Sequence, residues 1–240
     1  MKLLALIVAL PLAAQWTNLP PEPKVAANAK APMLAGGVPD LSGVWQAASA
    51  KWLRNLYDKP EELSFTPAGR AIFDRRKSGE LSKFEPDANC LPQGVPKINA
   101  TPVPFRMFQM KDRVVIVYEA FNLWRQVFLD GRKPVKEPNP TWLGYSTGKY
   151  DKDTLVVTTV GFNGKTWLDM AGLPLGEKGT VTERFHRRDY SHLDIAVTID
   201  DPEYYTKPWS ATQEMALQPG TELFEFICNE NERDQVHIAK

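Results

Sequence analysis

From residue 105 onward the chain alternates apolar and polar positions with a period of two, as strands with one buried face do. Segments 105–111, 113–121 and 123–129 are rich in Val, Ile, Phe and Trp. The clearest hairpin pairs 144–150 with 154–160 across the polar turn Asp151-Lys152-Asp153. Segments 180–187, 192–200, 209–217 and 221–228 follow, and Gly43-Val44-Trp45 opens an earlier strand. About nine closely spaced strands with short turns predict an antiparallel meander, closed as a barrel or packed as a sandwich. Helical text is confined to 51–82, too little for βαβ crossovers. There Thr66 stands as an N-cap before Pro67, with Ala68, Ala71 and Ile72 at helical spacing. The helix should end in Arg75-Arg76-Lys77, cations favourably placed at a helix C-terminus. The expected fold is mainly β: an antiparallel barrel with one or two short helices in the N-terminal part.

Alternation also assigns faces. Val181, Glu183 and Phe185 share one, so a glutamate stands on an apolar face. Leu193, Ile195, Val197 and Ile199 should face the core, and Gln213 interrupts the apolar face of Trp209, Ala211, Met215 and Leu217. Glu225 stands between Leu223 and Ile227, and Glu119 shares a face with Val115, Val117 and Phe121. A buried carboxylate must be paired or hydrogen-bonded. A hairpin turning near Asn122 would set Arg125 opposite Glu119, as a structural ion pair. The residue types permit Glu183 as general acid or base and Arg125 as the holder of a carboxylate or developing oxyanion. Tyr145 is a candidate proton donor, and Asp169 a further carboxylate from the adjoining loop.

Two Thr-Trp-Leu triplets, at Thr141-Trp142-Leu143 and Thr166-Trp167-Leu168, bracket the hairpin. Indole rings are costly in loops unless buried or stacked, so Trp142 and Trp167 mark the mouth of a pocket. Glu119, Asn163 and Gln213 join them as candidate ligand-lining residues. The glycine-rich stretch 161–179 is either a lid or a surface loop pinned to the core by Trp167.

The chain has 240 residues, 43% of them hydrophobic, enough for a substantial core. Lys+Arg and Asp+Glu are balanced at 29 each, so no net field favours nucleic acid. Lys2 followed by the apolar run 3–12 and Ala13-Ala14 reads as an export signal over 1–14. That run is too short to span a membrane. Proline-rich text at 15–38 reads as a flexible leader, and 39–240 as a single barrel domain. Export places the protein in the periplasm or outside the cell, where Cys90 and Cys228 should form a disulfide. His186, His192 and His237 show no metal-ligand spacing, and there is no phosphate loop, dinucleotide fingerprint or serine elbow. No cofactor or metal is expected.

Gly43-Val44-Trp45 resembles the first strand of the lipocalins and the wider calycin group. That resemblance implies a calycin-like barrel whose Trp45 plugs one end against a basic residue, for which Arg184 or Arg233 would serve. Much of 39–234 also resembles a family of exported bacterial proteins of uncharacterised activity. The shared text includes Asn89-Cys90-Leu91-Pro92, Asn139-Pro140-Thr141-Trp142, Gly161-Phe162-Asn163, Thr182-Glu183-Arg184-Phe185 and Cys228-Asn229-Glu230-Asn231. The expectation is an exported barrel binding a small apolar or aromatic molecule. The alternatives are a cofactor-independent lyase, hydratase or isomerase using Glu183 and Arg125, and an envelope protein-interaction module.

Overall fold

The structure, a computed structural model, describes residues 24–229; the expected signal at 1–14 lies outside them. Nine strands join edge to edge in a closed barrel. They are β1 Gly43–Ala47, β2 Phe105–Gln109, β3 Arg113–Tyr118, β4 Leu123–Phe128, β5 Tyr145–Asp151, β6 Thr154–Val160, β7 Thr180–Arg187, β8 His192–Asp200 and β9 Trp209–Leu217. The helices α1 Lys51–Arg54 and α2 Pro67–Lys77 lie in the N-terminal part. The mainly β barrel with few short helices is the one the alternation predicts.

Its pairing departs from the antiparallel expectation at one junction: β4 and β5 run parallel, through Val127–Ser146 and Phe128–Thr147 only. The reason is parity. Around a closed ring the antiparallel junctions must be even in number, so nine strands require at least one parallel junction. Residues 129–144 supply the return, carrying the chain from one end of the barrel to the other.

The two ends differ. At the base, β2–β3, β5–β6 and β7–β8 are joined by the short turns 110–112, 152–153 and 188–191. At the opposite end, the rim, lie the longer connections 48–104, 161–179 and 201–208. Trp45 is fully buried towards the base; its Nε1 donates to Leu41 O at 3.0 Å, and Arg187 lies 5.0 Å from its ring centroid. The basic partner of this tryptophan is therefore Arg187. Arg184 instead bonds Asp151 on the surface, and Arg233 lies outside the described residues. Residues 24–38, part of the expected leader, fold back here, where Ala29 O and Ala27 O accept from Tyr190 N and Ser191 N at 2.7 and 3.1 Å.

In β7 and β8 the faces are those expected: Val181, Glu183, Phe185, Leu193, Ile195, Val197 and Ile199 are all fully buried. In β3 they are reversed, with Val114, Ile116 and Tyr118 buried and Val115 and Val117 half-buried. Positive φ at Phe121 (60°) and Asn122 (50°) tightens the turn, and Arg125 falls opposite Ile116. Glu119 lies beyond the strand end, so the expected Glu119–Arg125 pair does not form. Segment 221–228 forms no strand. It is held by side chains: Asn122 exchanges two hydrogen bonds with the Phe226 backbone, and Glu119 Oε2 accepts from Phe224 N at 3.0 Å. Glu225 on this segment is exposed.

Helix α2 begins as predicted, with Thr66 Oγ1 accepting from Gly69 N at 3.1 Å and Pro67 in the first turn. Gly69 must be glycine, because a Cβ there would meet Tyr204 O at 2.0 Å. No described helix is long and apolar enough to cross a membrane.

The barrel is filled. Residues 93–101 enter from the rim and are buried throughout, with Val95, Lys97, Ile98, Asn99 and Ala100 at most 1% exposed. Inward-facing side chains grip this plug. Gln213 Nε2 donates to Pro96 O at 3.1 Å, and Asn99 Nδ2 donates to Glu183 Oε1 at 2.8 Å.

Candidate functional site

Glu183 lies inside the barrel, as the alternation predicts, with 0% exposure. Arg125 reaches it across the interior, Nη2 to Oε2 at 2.5 Å. The same guanidinium donates to Ser146 Oγ at 2.9 Å and Thr159 Oγ1 at 2.7 Å. Burial opposes the charge on Arg125, but Glu183 beside it prevails and holds the guanidinium pKa above its ordinary value. Tyr118 OH completes the set by donating to Asn99 Oδ1 at 2.9 Å; burial is the main reason that its phenol is held far above its ordinary range. Both Glu183 oxygens are thus committed, one to Arg125 and one to the plug. The arrangement fastens the plug to the wall.

Arg125 Nη1 is buried and has no hydrogen-bond partner among the described residues. Arg125 also lines a cleft of about 410 Å³ on the barrel wall, together with Ser146, Tyr145, Trp142 and Trp124. The cleft opens where Leu123, Trp124, Arg125 and Gln126 have no β5 partner. Tyr145 stacks on Phe128 at 5.4 Å, and its hydroxyl accepts from Arg132 Nη1 at 3.2 Å.

A larger concavity than this cleft lies outside the barrel at its rim. A groove of about 710 Å³ runs between α2, the turns at 81–91 and the two tryptophan loops. Ile72, Leu81, Phe84, Leu91, Trp142 and Trp167 give it apolar and aromatic walls, and Arg76, Lys83 and Lys165 add charge. The Arg76 guanidinium lies over the Trp167 ring, 4.6 Å from its centroid. Thr141-Trp142 is brought here by a parallel bridge from Thr141 to Phe162, and Trp167 is fixed by a bridge to Pro174. Gly94 of the plug comes close to both loops, since a Cβ on it would lie 2.4 Å from Thr166 Cγ2 and 3.0 Å from Trp142 O.

The two tryptophans therefore do mark a pocket, but the pocket and Glu183 are separate places. Asp169 lies beneath the groove, its carboxylate accepting from Leu56 N, Gly172 N and Leu173 N at 2.8, 3.0 and 3.2 Å. Burial outweighs those bonds and pushes its carboxyl up to about 6. Asn163 Oδ1 accepts from Lys165 N at 3.1 Å and shapes its own turn. Gln213 is taken up by the plug, and Glu119 by the C-terminal segment. Stretch 161–179 is pinned: Trp167 is 4% exposed, Leu168, Leu173 and Leu175 no more than 1%, and Met170 N and Ala171 N donate to Leu53 O and Arg54 O.

Cys90 and Cys228 form the expected disulfide, with Cα atoms 5.6 Å apart. Cys90 stands between Asn89 and Leu91, both on the groove wall, so the bridge anchors that wall to the C-terminal segment. Arg76 was missed as a site residue because its helix C-terminal position already accounts for a cation. Its neighbours fit that account: Arg75 pairs with Glu80 at 2.6 Å and Lys77 approaches Glu61 at 3.9 Å. Compared with known protein families, with curated proteins and with solved structures, the chain matches none.

Proposed function

We propose that this is an exported barrel protein that binds a small apolar or aromatic molecule in the rim groove, outside the barrel. The carrying observation is the pair Trp142 and Trp167 in the walls of a concavity of about 710 Å³. Binding pockets for small molecules are of this size and mostly apolar, with a few polar groups to fix orientation. The filled interior supports a site on the rim rather than within the barrel. The Cys90–Cys228 bridge fits an oxidising compartment and so supports export.

Native mass spectrometry of the purified protein should find a co-purified small molecule, or calorimetric titration with naphthalene derivatives should show saturable binding. Trp142→Ala should weaken that binding at least about tenfold, the scale of one lost aromatic contact and its buried area. Saturable binding that is indifferent to Trp142→Ala would place the ligand elsewhere and defeat the reading.

A second reading, catalysis without a cofactor, draws on the wall cleft that brings Arg125, Tyr145 and Ser146 together. It predicts that a ligand of this cleft is converted by the wild type and only bound by Arg125→Lys. Unaltered ligand after prolonged incubation with the wild type would remove it.

A further inference from the structure

Three cations line the rim groove, Arg76, Lys83 and Lys165, and no carboxylate among the described residues lines it. None of the three forms an ion pair among the described residues. Glu85, Asp87 and Asp169 are already engaged. Glu85 and Asp87 both pair with the buried Lys97, Asp87 at 3.0 Å, and Asp169 accepts three backbone N–H groups. Arg76 is the most enclosed of the three cations. Its one hydrogen bond among the described residues is a long one, Nη1 to Gly172 O at 3.5 Å. Stacking on Trp167 occupies a face of the guanidinium and leaves its in-plane N–H donors available.

Resting on the groove-binding reading, we propose that the groove selects for negative charge: its occupant is an aromatic carboxylate, with the ring against Trp142 and Trp167 and the carboxylate on Arg76. Lys83 and Lys165, both exposed, draw the anion in from the rim and hold it less tightly. One guanidinium matches one carboxylate in bidentate geometry. A dianionic phosphate would need more desolvated donors than the groove has. The state of Arg76 is consistent with this assignment. Burial lowers its pKa to about 10, so it stays protonated at neutral pH while its charge is poorly solvated. An incoming carboxylate relieves that cost, whereas a neutral ring does not.

The test is calorimetric titration of the full chain with 2-naphthoate and with 2-naphthamide, its neutral counterpart of the same shape. The wild type should bind the carboxylate at least about tenfold more tightly at low salt, with the margin shrinking as salt is raised. In Arg76→Gln the two ligands should bind alike. In Lys83→Gln/Lys165→Gln, where two exposed side chains change, the preference should fall about two- to fivefold, and this variant decides the matter if Arg76→Gln does not fold. Equal binding of both ligands by the wild type overturns the charge assignment and leaves the groove reading intact. A preference unchanged in the variants that fold also overturns it. If neither ligand binds, or Trp142→Ala leaves both affinities unchanged, the groove reading falls and the charge assignment falls with it.

Discussion

Arg125 on β4 and Glu183 on β7 meet inside the barrel at 2.5 Å, although two strands separate them around the wall. The guanidinium also holds Ser146 and Thr159 on the two strands between, and Asn99 ties the plug to the same carboxylate. Removing one partner leaves the other charge buried and alone. Glu183→Gln should therefore cost about 3–5 kcal/mol in urea unfolding. The double change Arg125→Met/Glu183→Leu should recover most of that loss, because neither variant side chain carries a charge. A Glu183→Gln protein as stable as the wild type would refute the structural role.

Asp169 gives the fold a pH dependence of unusual sign for a carboxylate. Its folded value of about 6 lies above the ordinary 3.8. Between those values the folded protein holds a proton that the unfolded chain has released. Its contribution therefore favours the folded state most below about pH 4 and falls as pH rises towards 6, by as much as roughly 3 kcal/mol. Urea unfolding from about pH 4.5 to 6.5 should show this decline in the wild type. Asp169→Asn should start less stable, since its amide faces Leu56 N, and should lose that part of the slope.

Cys90 and Cys228 close a loop with a sequence separation of 138. The chain-entropy account assigns such a crosslink about 4–5 kcal/mol. Cys90→Ser/Cys228→Ser should lower the unfolding free energy by up to that amount. It should also weaken ligand binding, because Cys90 lies within the groove wall. Hydrogen exchange at Asn89 and Leu91 would report the loosening directly.

Arg187 stacks on Trp45 and donates to three backbone carbonyls, Asp40 O and Tyr190 O at 2.5 Å and Asp189 O at 3.2 Å. Arg187→Ala should cost roughly 2–4 kcal/mol by leaving these acceptors without a donor. Arg187→Lys should rescue little of it, since an ammonium cannot reach the three carbonyls with one planar fork. Thermal melts of the two variants would decide this.

How much of this could be read from the chain depends on the span of each interaction. Alternation placed Glu183 and the β8 core correctly, because a strand fixes its own faces once one is rich in apolar groups. It failed at β3, where Val115 and Val117 look as apolar as Val114 and Ile116; only the turn settles the register. The expected turn sets residue 119 against 125, whereas the pairing sets 116 there. A slip of three, an odd number, exchanges the two faces. That exchange sends Glu119 outward and frees Arg125 for Glu183. The plug at 93–101 has no periodicity: Asn99 finds its partner Glu183 far along the chain, and Lys97 pairs with Glu85 and Asp87 in the irregular segment shortly before it. Trp142 and Trp167 were legible as pocket residues because large aromatic side chains in loops need a surface. Arg76 was not, because its partner is the Trp167 ring, which the helix text does not contain.

The asymmetry between the barrel's ends bears on how such a protein changes over evolutionary time. Strand register is set largely at the base, by turns of two to four residues. The groove, by contrast, is assembled from rim segments: residues 72–91 within 48–104, the end of 129–144 and part of 161–179. Apart from the plug and its contacts, those segments can be lengthened or rewritten without shifting one strand against another. Transplanting rim loops between related barrels should accordingly move ligand preference with the loops and leave the host's folding cooperativity intact.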